Sequence, residues 1–487
     1  VAGEPADDTA SQEGQERKAV TTEQMPAGEP PRRRPLDARV DTLVRDVLTR
    51  LRTAGHEAWL VGGCVRDLFL GRTPEDFDIA TSARPEVVLS LFRRTVPTGL
   101  KHGTVTVLVD APLEKVEVTT YRGEGAYTDG RRPEEVVFIS DLVQDLARRD
   151  FTMNAMAFDP VADELRDPFD GLGDIRRRLV RCVGDARERF AEDGLRSLRA
   201  VRFSSVFQFE VDAETRAAIA SALPTFRKIA QERVRDELTK LLVRSPQPSR
   251  GIQLLADTGL LREVVPELLE GQGVAQNRRH AFDVWSHTLH VLDACPPDLV
   301  VRLAGLLHDV AKPRCAVPAE VGEHAFPDHD ALGATLSTEI VDRLRFPRKV
   351  IESVAHLIRE HSWHYDPHWT GGALRRALRR VGVENLPAFY ALREADIRGR
   401  GQDFAESLAA LAHLRGRFDA EVQRASALAL RDLALTGSDL MAQFARAPGP
   451  WVGQTLTGLL EHVLDHPDDN TRERLLELAR QQLGAQS

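Results

Sequence analysis

From position 40, apolar side chains recur about every three or four residues, at Val40, Leu43, Val44, Val47, Leu48 and Leu51; this spacing predicts a helix over 41–54. The pattern then shortens. Leu60-Val61 reads as an apolar strand, Gly62-Gly63 as a turn, 64–67 as a helix start and 76–79 as a second strand. Arg84-Pro85-Glu86 opens another amphipathic helix that runs to Phe92. Stretches 101–109 and 114–121 read as two strands of a hairpin, and on the second Glu117 points away from the face of Val116 and Val118. Residues 122–133 are polar and Gly-rich and read as a mobile loop, and 167–171 as a closing turn. From 175 to the end the periodicity is helical, with breaks at 435–439 and 448–450. The expected fold class is therefore an α/β head, a mixed sheet with flanking helices, followed by all-α regions.

Composition changes this picture in a few places. A chain of 487 residues is too long for one core, so three or four domains are expected. Residues 1–36, rich in Glu, Gln, Pro, Gly and Thr, read as a disordered tail. No apolar run approaches the ~20 residues of a membrane span, so no membrane partner is expected. The four cysteines are scattered without a CxxC pair, and the opening residues lack a basic-then-apolar leader; both favour the cytoplasm. The net charge of −9 argues against a nucleic-acid partner until its distribution is considered: residues 175–202 hold nine Arg against four acidic side chains. A local basic field on an acidic protein still attracts a polyanion.

Five groups of residues carry candidate chemistry. Gly62 and Gly63 permit a tight turn with exposed N–H groups, the way loops bind phosphate. Asp76 and Asp78 are two apart, so on a strand they share a face and call for a cation between them, for which Mg2+ with oxygen ligands is the usual answer; Glu117 is the candidate third carboxylate. A phosphate turn beside such a set suggests nucleotidyl transfer with two metal ions, the plainer alternative being a turn followed by a solvated Asp pair. Arg148 and Arg149 are placed to meet phosphates, with Asp150 and Asn154 to meet a ribose or to order the Arg pair. On a continuous helix Asp193, Arg196 and Ala200 share a face with Arg199 and Arg202 close by, while Leu195, Leu198 and Val201 form the buried stripe. Arg233 and Glu237 then read as a solvated i,i+4 pair. Last, a His-dense region offers His287, His308, Asp309 and Asp396 for a second divalent metal.

In order, the motifs LVGGCVRD (60–67), EDFDIAT (75–81), HGTVTV (102–107), EVTTYR (117–122), RRDFTMNA (148–155), EDGLRSLRAVRF (192–203) and QERVRDEL (231–238) resemble those of class II tRNA nucleotidyltransferases, the CCA-adding enzymes and related poly(A) polymerases. The resemblance covers roughly residues 37–487, and the combination with an HD-like region is similar to the actinobacterial branch. It implies a nucleotidyltransferase head over 37–175, a helical RNA-binding neck over 176–270, an HD domain over 271–410 and a helical tail over 411–487. It further implies Asp76, Asp78 and Glu117 as catalytic metal carboxylates, and Gly62, Gly63 and Arg66 as the triphosphate turn. Arg148, Arg149, Asp150 and Asn154 match its phosphate and ribose motif, and Asp193 and Arg196, with Arg199 and Arg202, the motif that selects the base. The implied reaction transfers CMP, CMP and AMP from CTP and ATP to the 3′ end of tRNA, held by its acceptor arm. A poly(A) polymerase and an HD phosphohydrolase are the alternatives. Base selection has an independent rationale. Cytosine and adenine both present an amine beside a ring acceptor, matching a carboxylate beside an arginine. Uracil and guanine reverse that order, and each unpaired buried group costs roughly 1–3 kcal/mol.

Overall fold

The first helix, α1 (Thr42–Thr53), starts where the periodicity predicts it, because the Asp41 carboxylate accepts from the Leu43 N–H at 2.8 Å. Val44, Val47, Leu48 and Leu51 are its buried face. The computed structural model describes residues 40–123, 137–276, 280–318, 324–402, 404–424 and 429–484. The expected tail over 1–36 and most of the expected loop over 122–133 lie outside the described residues.

Strand β1 (Ala58–Val61) leads through a Gly turn into α2 (Gly63–Phe69), and β2 (Asp78–Thr81) returns antiparallel to β1. Helix α3 (Pro85–Leu91) is followed by β3 (Thr95–Gly99), β4 (Thr104–Leu108) and β5 (Lys115–Thr120). The predicted hairpin is β4–β5, with Val105 opposite Val118 and Val107 opposite Val116. After α4 (Leu142–Ala147) come β6 (Ala157–Asp159) and β7 (Glu164–Arg166), which with β3 complete a mixed sheet of seven strands among the described residues, ordered β3-β4-β5-β2-β1-β6-β7. The pair that positions chemistry is β2–β5. It is parallel, and its register sets Asp78 beside Glu117.

Asp76 differs from its expected place. The strand begins at Asp78, and Asp76 lies in the bend before it. Its relation to Asp78 is therefore set by the bend and not by strand periodicity.

Helix α5 (Gly171–Arg177) follows the 167–171 turn, whose Asp167 carboxylate accepts from Gly171 and Leu172 N–H. The chain beyond is largely helical, with one small parallel pairing between β8 (Leu179–Val180) and β9 (Glu210–Val211). Here the expected continuous helix through Asp193 and Arg196 is broken. Helix α6 (Ala186–Glu192) ends at Asp193, which has extended dihedrals, and α7 (Leu195–Phe207) starts after Gly194. Close approach at the break requires a glycine: a Cβ on Gly194 would lie 2.5 Å from the backbone nitrogen of Phe226. Helices α8 (Ala213–Ser221), α9 (Leu223–Phe226) and α10 (Gln231–Arg244) follow, and α10 packs on α7. One connected apolar core draws on side chains from Val40 to Phe418, a smaller cluster gathers around Tyr121 and Leu146, and residues 433–479 close another core around Leu440, Leu459 and Leu475. Among the described residues no helix is long and apolar enough to cross a membrane.

Candidate functional site

Gly62 has φ +80°, a backbone that side-chain-bearing residues rarely adopt, and a Cβ there would stand 2.9 Å from Arg149 Nη1 and 3.6 Å from Asp78 Oδ2. The turn, Arg149 and Asp78 thus form one small pocket edge. Burial pushes the Asp78 carboxyl up to about 6; Arg149 opposes this, and the neighbouring carboxylates of Glu117 and Asp76 add to it. Asp78 is half-buried and the other two are exposed; their oxygens are donors of the kind a divalent cation takes, and such a cation would remove the cost of ionising Asp78, but the three are not drawn together as closely as the ligand atoms of the second cluster. Arg148 and Arg149 are both held by Asp145, whose buried carboxylate accepts from Arg148 Nε and Nη2 at 3.0 and 2.8 Å and from Arg149 Nη2 at 3.4 Å. Asp145, an orienting residue that the sequence reading did not single out, sits one helical turn before this pair on α4.

Several of the other expected nucleotide-binding residues are engaged within the protein. Arg66 is buried, donates to Asp67 Oδ1 and Asn154 Oδ1 at 3.0 and 2.7 Å, and lies over the rings of Phe203 and Phe207. Asp150 accepts from Asn154 Nδ2 at 3.0 Å and from Arg199 Nε at 2.8 Å. Burial alone would raise its carboxyl, yet Arg199 and Asn154 hold it well below the usual carboxylate range. Arg202 meets Glu237 at 2.5 Å with both side chains buried. Glu237 is therefore not the solvated partner of Arg233 that the spacing suggested, because α10 turns it against α7.

The structure brings Asp193 and Arg196 to the same corner, but they are not paired with each other. Asp193 forms an ion pair with Arg233, with Nη2 at 2.6 Å from Oδ2 and Nη1 at 3.3 Å from Oδ1, and its Oδ1 also accepts from Leu195 N–H at 3.1 Å. Arg196 meets Glu192 at 2.5 Å and donates to the carbonyls of Arg189 and Arg148, each at 3.1 Å.

The second cluster lies far along the chain. Four imidazoles place Nδ1 against backbone carbonyls: His287 on Gly399 at 3.1 Å, His308 on Gly305 at 2.8 Å, His329 on Phe326 at 2.8 Å and His361 on Ile358 at 2.6 Å. An imidazole that donates from Nδ1 turns the lone pair of Nε2 inward, the orientation of a metal ligand. Those Nε2 atoms surround Asp309, whose Oδ2 is 3.1 and 3.4 Å from His308 and His287 and whose Oδ1 is 3.8 Å from both His329 and His361. Asp396 Oδ1 stands 3.2 Å from His287. All four residues expected from the sequence therefore meet, and His280, His329 and His361 join them in groups whose ligand atoms lie within 4.8 Å of one another. These three were visible only as part of a His-dense stretch. Burial opposes ionisation of Asp309, but His308 and Lys312 hold its carboxyl well below the usual range. Lys312 Nζ lies 2.6 Å from Oδ2, a cation already drawn to this centre. A cavity of about 790 Å³ opens beside the cluster, lined by Lys312, Phe326, Arg393, Arg400 and Phe404 among others.

Comparison with known proteins agrees with this architecture. Residues 58–181 match the poly A polymerase head domain, 208–271 the "Probable RNA and SrmB- binding site of polymerase A" and 333–479 domain 2 of tRNA nucleotidyltransferases. A CCA-adding enzyme of Lactobacillus johnsonii is 48% identical over 225 residues, which is 46% of this chain and 56% of that protein, so this chain spans about half the length of that relative. A CCA-adding enzyme of Anoxybacillus flavithermus is 32% identical over 440 residues, 89% of this chain and 95% of that one. The crystal structure of the Bacillus stearothermophilus CCA-adding enzyme in complex with CTP superposes with a TM-score of 0.68 at 30% identity, covering 91% of this chain and 98% of that chain. With its mixed-sheet head, its helical remainder and this match across nearly the whole of a relative, the chain belongs to the family of CCA-adding enzymes.

Proposed function

We propose that this protein adds CMP, CMP and AMP, from CTP and ATP, to the 3′ end of tRNA and releases pyrophosphate without a nucleic-acid template. The observation that carries the reading is the parallel β2–β5 register, which sets Asp78 beside Glu117 next to the Gly62 turn and Arg149. Asp76, Asp78 and Glu117 would hold Mg2+, which when bound activates the attacking 3′-hydroxyl and neutralises the leaving pyrophosphate. Arg149, on the Gly62 turn, binds the triphosphate, and Gly62 and Gly63 let it approach the backbone. Asp150, held by Arg199 and Asn154, faces the ribose. Arg196 donates to N3 of cytosine or N1 of adenine, and Asp193 accepts from the exocyclic amine. Arg66 and Arg199 serve this site by fixing α7 against the head, and Arg202 by fixing α7 against α10. In this scheme 37–175 is the head, 176–270 the neck, 271–410 the HD region and 411–487 the tail, and the helical parts carry the tRNA acceptor arm, chiefly through phosphates and shape. The setting is cytoplasmic. The test supplies tRNA lacking its terminal CCA with each labelled nucleotide. Use of CTP and then ATP, stopping after three additions, supports the reading; unlimited addition of A to many RNAs would make the protein a poly(A) polymerase.

The inward-facing imidazoles favour a second activity on the same chain. His287, His308, Asp309 and Asp396 would hold a divalent metal, with Asp309 shared with His329 and His361, and the donor set suits metal-dependent hydrolysis of a phosphate ester. Hydrolysis of nucleotide or 2′,3′-cyclic phosphate substrates, lost in His308→Ala with CCA addition retained, is the expected result.

A further inference from the structure

We infer that Arg233 of α10 is a specificity-determining positioning residue, which holds the Asp193 carboxylate in the one orientation that accepts the amine of cytosine or adenine. The inference rests on the base-reading role proposed for Asp193. An ionised carboxylate offers about four lone-pair positions. Arg233 takes two of them, one on each oxygen, and the Leu195 N–H takes a third. One position remains, on Oδ2, which is what a single amine N–H of an incoming base requires. A carboxylate free to turn about its own bond would present either oxygen at a range of angles. It would lose the directional contrast between an amine, which it accepts, and a carbonyl, which it repels.

The anchor comes from outside the motif that reads the base. Asp193 lies at the break between α6 and α7, where extended dihedrals take it out of both helices; its carbonyl still accepts from the Arg196 N–H at 3.0 Å, and the Leu195 N–H holds its side chain at one oxygen only. Arg233 reaches it from the first turn of α10, forty residues onward, and its planar fork suits two-point contact with a carboxylate as a lysine would not. The Arg233 side chain is 43% exposed, so it adds little to the core and its removal leaves no buried cavity. Arg196 has its own supports in Glu192 and two carbonyls and does not depend on this contact.

The experiment measures kcat/KM for all four nucleotides on tRNA lacking CCA and on tRNA ending in CC, with wild type, Arg233→Ala, Arg233→Lys, Asp193→Ala and the double variant. In Arg233→Ala the CTP-to-UTP and ATP-to-GTP ratios should fall about tenfold, with KM rising more than kcat drops. Arg233→Lys should recover only part of the contrast. In the Asp193→Ala background the same Arg233 substitution should change the ratios by less than about twofold, since its effect runs through that carboxylate. Unchanged ratios in an Arg233→Ala variant with wild-type Tm overturn the inference, as does a loss that persists without Asp193. An equal loss for all four nucleotides accompanied by weaker tRNA binding also overturns it and makes Arg233 a phosphate contact. A wild-type protein that incorporates neither CTP nor ATP overturns instead the proposed function on which the clamp rests.

Discussion

Asp78 concentrates the demands made on a single residue of the head. It is half-buried, it borders two other carboxylates, and its carboxyl is raised to about 6. Asp78→Ala should abolish incorporation of both C and A while tRNA affinity, measured by filter binding, stays near wild type. Arg196→Ala should lower kcat/KM for CTP and ATP alike by roughly 10- to 100-fold, the size of a lost charged hydrogen bond. Asp150 supplies a pH prediction. Its folded-state carboxyl lies below its usual value, so its stabilising contribution is present above the unfolded value of 3.8 and is lost as pH falls through the lower folded value. Urea unfolding at pH 6 and pH 3.5 should show a larger drop in stability for wild type than for Asp150→Asn. An equal drop would detach Asp150 from acid stability. At this scale the sequence was informative wherever partners are neighbours along the chain. Asp150 and Asn154, four residues apart, were both singled out, and they bond to each other at 3.0 Å, whereas the approach of Arg149 to the distant Gly62 turn was not readable. Arg233 on Asp193 was not, because helical spacing offered Glu237 as a nearer partner and only the packing of α10 on α7 reverses that choice.

Beside their buried apolar side chains, α7 and α10 share a buried ion pair whose partners leave little exposed surface: 10% for the Arg202 side chain and 4% for Glu237. Such a pair adds little over an apolar contact, but breaking it is costly. Glu237→Ala leaves the Arg202 guanidinium buried without its carboxylate, and should cost about 3–5 kcal/mol in urea unfolding. A cost under about 1 kcal/mol would mean that the pair behaves like a surface contact. The legible elements were those with a long or clean period: α1, α3 and the β4–β5 hairpin. Strand β3 was missed because its sequence, Thr-Val-Pro-Thr-Gly, contains the two residues that ordinarily exclude a strand, and it sits at the edge of the sheet, where they are tolerated. Strands β6 and β7 have three residues each, too short for alternation to register. The helix break at Gly194 was hidden for a different reason. It lies at Asp193 and Gly194, where the Phe226 backbone comes too close for any side chain at 194, while the local sequence reads as helix on both sides.

Across the whole molecule the two candidate metal centres differ in kind. The head offers only carboxylate oxygens and the helical cluster mostly imidazole nitrogens, so Mg2+ suits the first and a transition metal the second. After dialysis against Mg2+, wild type should retain a transition metal detectable by elemental analysis. His308→Ala should lose most of it and still add CCA at a rate within about twofold of wild type, because its substitution leaves the head untouched. Equal metal content in both proteins would remove the cluster as a metal centre. The domain-scale outline of an α/β head and a helical remainder was readable from periodicity. The continuous apolar core from Val40 to Phe418 was not, since no local pattern records which faces meet. One consequence follows from the way the corner at Gly194 is tied down. Arg196 is bonded to the Arg148 carbonyl in the head, and Asp193 to Arg233 in α10. The two side chains of the proposed base-reading edge are thus tied, like the points of a caliper, to different elements although they share one corner of the backbone, so sliding of the head against α10 would alter the gap between them.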